Sequence, residues 1–469
     1  MRKTRIIATL GPATDSPDRL AALMEAGVNV FRLNMSHARH DWVRQVVADI
    51  RSAARLRGIL PGILMDTQGP SIRTGDVPAA ISLSPGERFY FTVRGGTIPA
   101  GFKGTSVNYD DLASDVHAGD TLVVDNGEMK MRILSTTPEF VECEVLTEGS
   151  LGSRRHINLP GVRVSLPALT EKDRSDVALG LELKLDYIAL SFVRDPVDIA
   201  TLRACFHPDG HQPLIVAKIE HQFAVDHFDA IAQEADVIMV ARGDLGVECP
   251  YEELPIIQRR IVKYCQRIGR PVIVATHMLE SMITNPLPTR AEITDVANAV
   301  FEQADAIMLS GETTVGRHPL ACIEVMDTIA QRIERSGGAN YHEEAELTLP
   351  RQKLVKSAVI LADNLEATAI IAFTRSGQLP RFASAFRPKT SPIYAFCDTE
   401  SLAGKLTLLR GVTPIVLPSC SNDPEGSIDG ALNRLESRGL IKTGDSVVIL
   451  VPHATSHDRQ VESIKMRVV

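Results

Sequence analysis

Charged residues follow several short apolar segments of the sequence at positions where they could act together. Lys218 and Glu220 lie two residues apart at the end of one segment, and Asp244 follows another within Gly243-Asp244-Leu245-Gly246. Residues two apart on a strand point to the same side. A lysine ammonium can neutralise a phosphoryl group, and carboxylates are hard ligands that suit Mg²⁺, which keeps sites for substrate oxygens. The pattern indicates metal-assisted chemistry; a plain Lys218–Glu220 ion pair is the structural alternative and leaves Asp244 unexplained.

Polar residues occupy the same position, directly after an apolar segment, in most of the other segments. They are Arg32, Asn34, Ser36, Asp66, Thr67, Arg242, Thr276, Ser310 and Glu312. Each of them alone is explained as a solvated strand end or a helix cap. The whole set predicts one cluster, because the carboxyl ends of barrel strands converge on one face.

Four cations would lie around this cluster, namely Arg32, Arg73, Lys218 and Arg242. The chain carries 50 basic and 58 acidic residues, a net charge of −8, so a local positive excess indicates an anionic substrate. Four unrelated surface cations are the alternative. The phosphate loop Gly-x4-Gly-Lys-[Ser/Thr], the protein-kinase signatures and a strand-linked Gly-x-Gly-x-x-Gly are all missing from the sequence. The glycines of 243–246 would instead let the backbone approach a ligand, ahead of a helix expected from about Pro255.

The segments that must position these residues alternate with helical patterns. Ser16-Pro17, Gly27 and the capping box of Thr289 and Glu292 are typical of helix ends. Eight apolar, β-branched runs are typical of strands that are covered on both faces. They are Ile6–Thr9, Val28–Asn34, Ile63–Thr67, Tyr187–Ser191, Leu214–Glu220, Val237–Asp244, Val272–His277 and Ala306–Thr313. Eight strands alternating with helices predict a (β/α)₈ TIM barrel, with an open doubly wound sheet as the second possibility.

Two parts of the chain depart from this alternation. Residues 70–162 contain short β patterns, such as the strict alternation of 141–145, and predict a small inserted β-barrel domain. An insertion after the third strand would cover the carboxyl-terminal face of the barrel as a lid. After a linker of 336–350, residues 350–469 predict a C-terminal α/β domain with a parallel sheet. The barrel itself would be discontinuous, comprising residues 1–69 and 163–335.

The composition excludes several classes of protein. Hydrophobic residues make up 44% and charged residues 23%, which are globular values. The acidic net charge argues against nucleic-acid binding, and no apolar run has membrane-spanning length. The first residues contain no signal-peptide core, and the 7 scattered cysteines include no Cys-x-x-Cys pair. The sequence predicts a cytoplasmic location with reduced thiols.

Over essentially its whole length the chain resembles the pyruvate kinase family. The resemblance is carried by short motifs in a fixed order, which together are highly specific. They are residues 4–12, 29–37, 66–75, 158–161 (Asn-Leu-Pro-Gly), 166–173, 217–220, 239–248, 275–300 with Met-Leu-Glu-Ser-Met and Pro-Thr-Arg-Ala-Glu, and 309–313 (Leu-Ser-Gly-Glu-Thr).

The resemblance implies an activity and a role for each of these positions. It implies a barrel, a lid and a C-terminal regulatory domain, a homotetramer, and transfer of the phosphoryl group of phosphoenolpyruvate to ADP, which gives pyruvate and ATP. Glu220 and Asp244 would hold Mg²⁺ or Mn²⁺, while Lys218 and Arg32 would stabilise the transferring phosphoryl group. Two further implied roles are substrate carboxylate binding by the backbone at Arg242 and Gly243, and enolate protonation near Thr276 with Ser310 and Glu312 behind it. The implied ligands of K⁺ are Asn34, Ser36, Asp66 and Thr67, and the implied nucleotide contacts are Asn34, His37, Arg73 and Arg155. A phosphorylated allosteric effector would bind at Thr374, Ser376 and Gly377.

Four positions depart from the family pattern. Ser71 replaces a common glutamate beside the K⁺ site, which leaves the K⁺ requirement open. Gln68, His277 and Asn126 replace a common lysine, glutamine and aspartate. Two other functions stay open at this point, namely an Mg²⁺-dependent lyase or aldolase that forms an enolate on a similar barrel, and a non-catalytic metabolite sensor.

Overall fold

The computed structural model describes residues 2–125, 127–417, 424–454 and 460–469. In these ranges the strands are, in chain order, β1 (Arg5–Thr9), β2 (Val30–Asn34), β3 (Gly62–Asp66), β4 (Ile72–Arg73), β5 (Ile81–Leu83), β6 (Arg88–Thr92), β7 (Lys103–Ser106), β8 (Thr121–Val124), β9 (Met129–Thr136), β10 (Phe140–Val145), β11 (Gly149–Leu151), β12 (His156–Asn158), β13 (Tyr187–Leu190), β14 (Leu214–Ile219), β15 (Val237–Ala241), β16 (Val272–Ala275), β17 (Ala306–Leu309), β18 (Ala369–Phe373), β19 (Ile393–Cys397), β20 (Val412–Val416), β21 (Ser446–Ala454) and β22 (Gln460–Val468).

The α-helices of the same ranges connect these strands. They are α1 (Pro17–Glu25), α2 (His40–Arg57), α3 (Leu112–Asp115), α4 (Glu171–Glu182), α5 (Pro196–Arg203), α6 (Gln222–Asp226), α7 (Phe228–Glu234), α8 (Arg242–Glu248), α9 (Leu254–Ile268), α10 (Arg290–Phe301), α11 (Gly311–Thr314), α12 (Pro319–Glu334), α13 (Pro350–Asn364), α14 (Gln378–Ala385), α15 (Glu400–Leu406) and α16 (Pro424–Ser437). Short 3₁₀ helices lie at Glu280–Ile283 and Tyr341–Glu344.

The eight predicted core strands form a closed parallel barrel. Its order is β1-β2-β3-β13-β14-β15-β16-β17, so the predicted TIM barrel is confirmed and the open doubly wound sheet is wrong. The helix ends at Ser16 and Thr289 are capped as predicted, Thr289 within a capping box that includes Glu292. Several strands end before their apolar runs do. The run Val237–Asp244, for example, leaves the barrel at Ala241, and the short helix α8, which the sequence did not predict, begins at Arg242. The helix expected from about Pro255 is confirmed as α9, which begins at Leu254.

A separate β structure lies between β3 and β13 in the chain. It consists of a sheet of order β4-β12-β8-β9-β10-β6-β7 and the pair β11-β5. Its own core includes Phe89, Phe91 and Val141, and β10 alternates buried and half-buried residues as the sequence predicted. Because the chain enters and leaves this lid at the carboxyl-terminal face of the barrel, the lid adjoins the strand ends that carry the candidate site. The limits 70 and 162 stay predictions.

The C-terminal part is an α/β layer with a five-stranded sheet. Strands β20-β19-β18-β21 are parallel, as predicted. Strand β22 was not predicted, and it adds an antiparallel edge to β21, so the sheet as a whole is mixed. Helix α14 begins directly after Gly377, where the sequence indicates a helical stretch, whereas α15 was not predicted. A buried ion pair between Arg387 and Asp305, 2.8 Å long, joins this layer to the amino-terminal end of the barrel. Among the described residues, no helix has the length and apolar character needed to cross a membrane.

Candidate active site

Lys218 lies at the centre of a buried polar cluster at the carboxyl-terminal face of the barrel. Its Nζ donates to Ser191 Oγ at 2.8 Å and lies 3.1 Å from Asp66 Oδ1 and 2.9 Å from Glu220 Oε1. Asp66 and Glu220 are each 1% exposed. The Lys218–Glu220 ion pair considered as the structural alternative does form, but Asp66 from β3 and Ser191 after β13 join it, so the cluster spans the ends of three barrel strands.

The cluster perturbs the titration of its members. Burial alone would raise the pKa of Asp66, but Lys218 and Arg32 outweigh burial and hold that pKa below its ordinary value. Burial lowers the pKa of Lys218, yet Asp66 and Glu220 raise it further, so the net pKa lies above its ordinary value. Burial raises the pKa of Glu220, and the charge of Asp244 adds to this shift. The ammonium therefore stays charged in a site that excludes most of the solvent.

Arg32 places a second cation beside the first. Its Nε donates to Asp66 Oδ2 at 2.7 Å, and Nη1 donates to Thr9 Oγ1 at 3.0 Å. Asp66 is thereby held between Arg32 and Lys218, with each of its oxygens facing a cation. Two cations fixed by buried partners form a preorganised positive surface for a phosphoryl group.

The residues implied as K⁺ ligands lie at the carboxyl ends of two neighbouring strands and just beyond them. Asn34 and Asp66 are register partners of β2 and β3. Asn34 Oδ1 accepts from the backbone N of Ser36 at 3.1 Å, and Thr67 Oγ1 donates to Ala189 O at 3.0 Å. Asp66 already carries two cations as partners. The four residues are therefore neighbours. The side-chain oxygens of Asn34, Asp66 and Thr67 form hydrogen bonds or ion pairs with other protein groups.

The turn after β15 and the turn after β16 meet at Gly243. Its backbone N donates to Thr276 Oγ1 at 2.8 Å, and Arg242 Nη1 donates to Asp295 Oδ1 at 2.7 Å. Thr276 has a φ of 69°, a left-handed backbone that is costly for a β-branched residue. Asp244 lies one residue farther along α8, half-buried. The two turns therefore bring backbone and hydroxyl groups to the edge of the cation cluster.

Glu312 contacts backbone rather than the open face of the site. Its Oε2 accepts from Ser310 N at 2.7 Å, and its Oε1 accepts from Leu279 N at 3.1 Å. The residue is 2% exposed. Ser310 Oγ is buried and has no hydrogen-bond partner among the described residues. Glu312 thus fixes the turn after β17 against the segment that follows β16, and it leaves Ser310 with an unused hydroxyl.

The residues implied in nucleotide binding lie along the lid edge and the loop after β2. Arg73 on β4 donates from Nε to Ser71 Oγ at 3.2 Å, and Arg155 lies 3.1 Å from Asp125. Arg155 and His37 are exposed. Arg155 and His37 therefore lie at the rim, whereas Arg73 is half-buried and Asn34 is the register partner of Asp66 in the buried cluster. Asn126, one of the departures from the family pattern, lies outside the described residues.

The predicted effector loop lies between β18 and α14. Gly377 N donates to Thr374 Oγ1 at 2.8 Å, and Gly377 has a φ of 80°, which favours glycine. Ser376 is exposed and Thr374 is buried. The loop is a tight turn held by its own threonine.

Three residues of the site were not singled out from the sequence. Ser191 contacts Lys218, Thr9 contacts Arg32, and Asp295 contacts Arg242. Ser191 and Thr9 end two of the eight apolar runs, which is the signal used for the other strand-end residues. Asp295 lies inside α10 and has no such signal.

The donor set of the site fits a magnesium ion. Among the residues that the structure describes, no group of three or more His, Cys, Asp or Glu side chains is arranged for a metal. Mg²⁺ needs only one or two protein carboxylates, because water and substrate oxygens supply the other ligands. Glu220 and Asp244 provide that number beside the phosphoryl-binding cations.

Comparisons with known proteins agree along the whole chain. A family model described as the pyruvate kinase barrel domain matches residues 1–323, and one described as the pyruvate kinase alpha/beta domain matches residues 352–465. The chain is 40% identical to plastidial pyruvate kinase 2 of Arabidopsis thaliana over 96% of this chain and 78% of that protein. It is 37% identical to the pyruvate kinase of Clostridium acetobutylicum over 100% of both chains.

A solved structure gives the same result. The crystal structure of a pyruvate kinase from Cryptosporidium parvum matches with a TM-score of 0.93 and 35% identity, covering 100% of this chain and 96% of that one. These full-length matches do not support the lyase, aldolase or sensor alternatives. The chain belongs to the pyruvate kinase family, the phosphotransferases (EC 2.7.1.40) that use phosphoenolpyruvate and ADP and form pyruvate and ATP.

Proposed function

We propose that the Lys218 cluster carries out phosphoryl transfer from phosphoenolpyruvate to ADP. A β-phosphate oxygen of ADP forms a bond to phosphorus while the bond from phosphorus to the enol oxygen breaks. Lys218 and Arg32 stabilise the charge on the transferring group, since such transfer depends mainly on positioning and charge neutralisation. The observation that carries the proposal is the Lys218 ammonium, buried at the end of β14 within 3.1 Å of two carboxylates.

Glu220 and Asp244 are the proposed ligands of the divalent cation. Members of the family generally depend on Mg²⁺, and the two carboxylates lie next to the proposed phosphoryl position. When bound, Mg²⁺ would neutralise charge on the phosphoryl and enolate oxygens. Glu220 is held for this role by Phe192 N, which donates to its Oε2 at 2.6 Å.

The turns after β15 and β16 are the proposed place of the three-carbon product. The backbone at Arg242 and Gly243 receives the substrate carboxylate, and Thr276 lies beside the carbon that gains a proton when the enolate becomes pyruvate. Ser310, with its unused hydroxyl, lies behind Thr276, and Glu312 holds the turn that carries Ser310. Arg73, Arg155, His37 and Asn34 line the side from which ADP enters, and the lid excludes water that would compete with ADP.

The proposed K⁺ site at Asn34, Ser36, Asp66 and Thr67 lacks the extra carboxylate that many family members carry at position 71. Ser71 is neutral, and its hydroxyl accepts from Arg73 at 3.2 Å. Arg32 and Lys218 already pair with Asp66. Because Arg32 and Lys218 already neutralise the charge of Asp66, the site does not need a further cation. We therefore propose that K⁺ assists substrate binding but is not required for turnover.

Pyruvate formation from phosphoenolpyruvate and ADP with Mg²⁺ tests this proposal in buffers with and without K⁺. We expect turnover in both, with rates that differ by less than about threefold, at matched ionic strength so that screening is equal. Ser71→Glu should create K⁺ dependence, and Ser437→Glu, on the exposed end of α16, is the control. Turnover of the unaltered chain only with K⁺ would overturn K⁺ independence, and no turnover in either buffer would overturn the phosphoryl-transfer proposal.

The loop of Thr374, Ser376 and Gly377 is proposed to bind the phosphate of an allosteric activator. It follows a strand and precedes α14, where backbone N–H groups favour an anion. Ser376→Asp places a negative charge in that loop, so the concentration of AMP or sugar phosphate needed for half-maximal activation should rise at least tenfold. Unchanged activation by these phosphates, compared with Ser437→Asp as control, would exclude the loop. A homotetramer, as the family implies, is part of the proposal.

A further inference from the structure

Glu248 occupies an unfavourable position that the proposed reaction does not explain. It is the last residue of α8, where the helix dipole disfavours a negative charge. Burial raises the pKa of Glu248 to about 7, and the nearby charge of Asp244 adds to the shift. Its hydrogen-bond partners are a neutral side-chain amide and the backbone of Leu159 rather than a cation. Burial and the helix dipole both disfavour the charged form of this carboxylate, which suggests that Glu248 has a function at this position.

The partner of Glu248 belongs to the lid. Asn158 is the last residue of β12, and its Nδ2 donates to Glu248 Oε1 at 2.8 Å across 90 residues of chain. Asn158 is 4% exposed and is fixed in the lid sheet by its register with Val123 of β8. The hydrogen bond therefore joins the exit strand of the lid to the carboxyl-terminal end of α8.

A second lid segment approaches the same helix. A Cβ built on Gly127, in the turn between β8 and β9, would lie 3.8 Å from Val247 Cγ2. Asn158 and Glu248 border a cavity of about 70 Å³ between lid and barrel. The interface at this point is loosely filled, so the directional hydrogen bond, rather than close packing, fixes the distance between β12 and α8.

The other end of α8 carries the groups of the proposed site. Gly243 and Asp244 lie in its first turn, and Asp244 is one helical turn before Glu248. A helix of seven residues moves as a rigid piece, so a tie at its last residue constrains its first turn. Leu245, fully buried between them, anchors the middle of the helix.

We propose that Glu248 is a positioning residue for Asp244, and that its hydrogen bond to Asn158 makes the position of the lid control the divalent-cation site. The inference rests on the proposed function, in which Asp244 is a metal ligand. Closing the lid over the substrates and placing the second carboxylate on the metal then become one event. The divalent-cation site would then have both of its carboxylates in place only while the lid covers the substrates.

Mn²⁺ binding, followed by electron paramagnetic resonance of the free ion, tests the inference without relying on turnover. Glu248→Ala and Asn158→Ala should each weaken Mn²⁺ binding about tenfold. The double variant should bind no more weakly than Glu248→Ala, because Glu248→Ala already removes the contact with Asn158. Glu248→Gln keeps the acceptor oxygen and should bind within about threefold of the unaltered chain. Glu252→Ala, an exposed carboxylate just beyond α8, is the control for loss of charge and should leave binding unchanged.

Asp244→Ala separates this inference from the proposed function. If Asp244→Ala leaves Mn²⁺ binding unchanged, the metal role of Asp244 fails and the inference fails with it. If Asp244→Ala abolishes binding but Glu248→Ala and Asn158→Ala bind normally, or if their effects add in the double variant, only the positioning role is overturned. Asn158→Ala leaves the sequence of α8 intact and keeps the test valid if Glu248→Ala does not fold.

Steady-state kinetics gives a second readout that a purely structural role would not produce. In Glu248→Ala the Mg²⁺ concentration for half-maximal rate should rise about tenfold, and kcat should recover at saturating Mg²⁺. A kcat that stays low at every Mg²⁺ concentration, with normal Mn²⁺ binding, would indicate general damage to the barrel and would contradict the inference.

Discussion

Lys218→Met is expected to lower kcat by about a thousandfold or more while phosphoenolpyruvate binding changes little. Methionine fills a similar volume but removes the charge that would stabilise the transferring phosphoryl group, and a thousandfold loss corresponds to about 4 kcal/mol of transition-state stabilisation. In the ground state, phosphoenolpyruvate would still be held by Arg32, by the backbone at Arg242 and Gly243, and by the metal. Pre-steady-state ATP formation and phosphoenolpyruvate titration measure the two quantities separately.

The same substitution leaves Asp66 and Glu220 buried without their shared cation, and breaking such a buried arrangement costs about 3–5 kcal/mol of stability. Thermal unfolding and circular dichroism must therefore accompany the kinetics. Lys442→Met, an exposed lysine of the C-terminal layer, is the control. A folded Lys218→Met enzyme that turns over within tenfold of the unaltered chain would refute the role of Lys218.

Glu220→Gln should have an effect of similar size through a different route. The amide keeps the shape of the side chain but is a poor ligand for Mg²⁺, which prefers charged oxygen donors. We expect Mn²⁺ binding to weaken at least a hundredfold and kcat to fall about a thousandfold. Both are measured on the same preparation, by paramagnetic resonance of Mn²⁺ and by pyruvate formation.

Glu252→Gln provides the matched control for Glu220→Gln, since it makes the same chemical change at an exposed position. Loss of kcat in Glu220→Gln with normal Mn²⁺ binding would assign Glu220 to the placement of Lys218 rather than to the metal. Normal values of both would remove Glu220 from the site.

The barrel could be predicted because its signal is local and repeated. Each strand is an apolar run buried on both faces, and eight such runs alternate with capped helices. The first turn of α8 could not be predicted, because Gly243 and Gly246 disfavour a helix and tertiary contacts override that preference. The antiparallel pairing of β22 depends on its partner β21, and pairing direction leaves no mark within the strand itself.

The site was partly predictable for the same reason. Lys218, Glu220 and Asp244 follow strands, and barrel geometry brings strand ends together. The Arg32–Asp66 contact joins residues from two strands, so their spacing in the chain does not reveal it. Ser191 and Thr9 resemble ordinary strand-end hydroxyls until the structure places them against Lys218 and Arg32. Glu312 has the same strand-end signal as Glu220, but its carboxylate is turned toward the backbone of Ser310 and Leu279.

The most direct test of the account is the position of Mn²⁺ in crystals of this chain grown with pyruvate. The anomalous scattering of manganese locates the ion independently of any activity. We expect one strong peak within bonding distance of both the Glu220 and Asp244 carboxylates, with pyruvate oxygens completing the coordination of the ion beside Lys218. A peak at other residues, or a Mn²⁺ ion that contacts neither carboxylate, would contradict the proposed phosphoryl-transfer site.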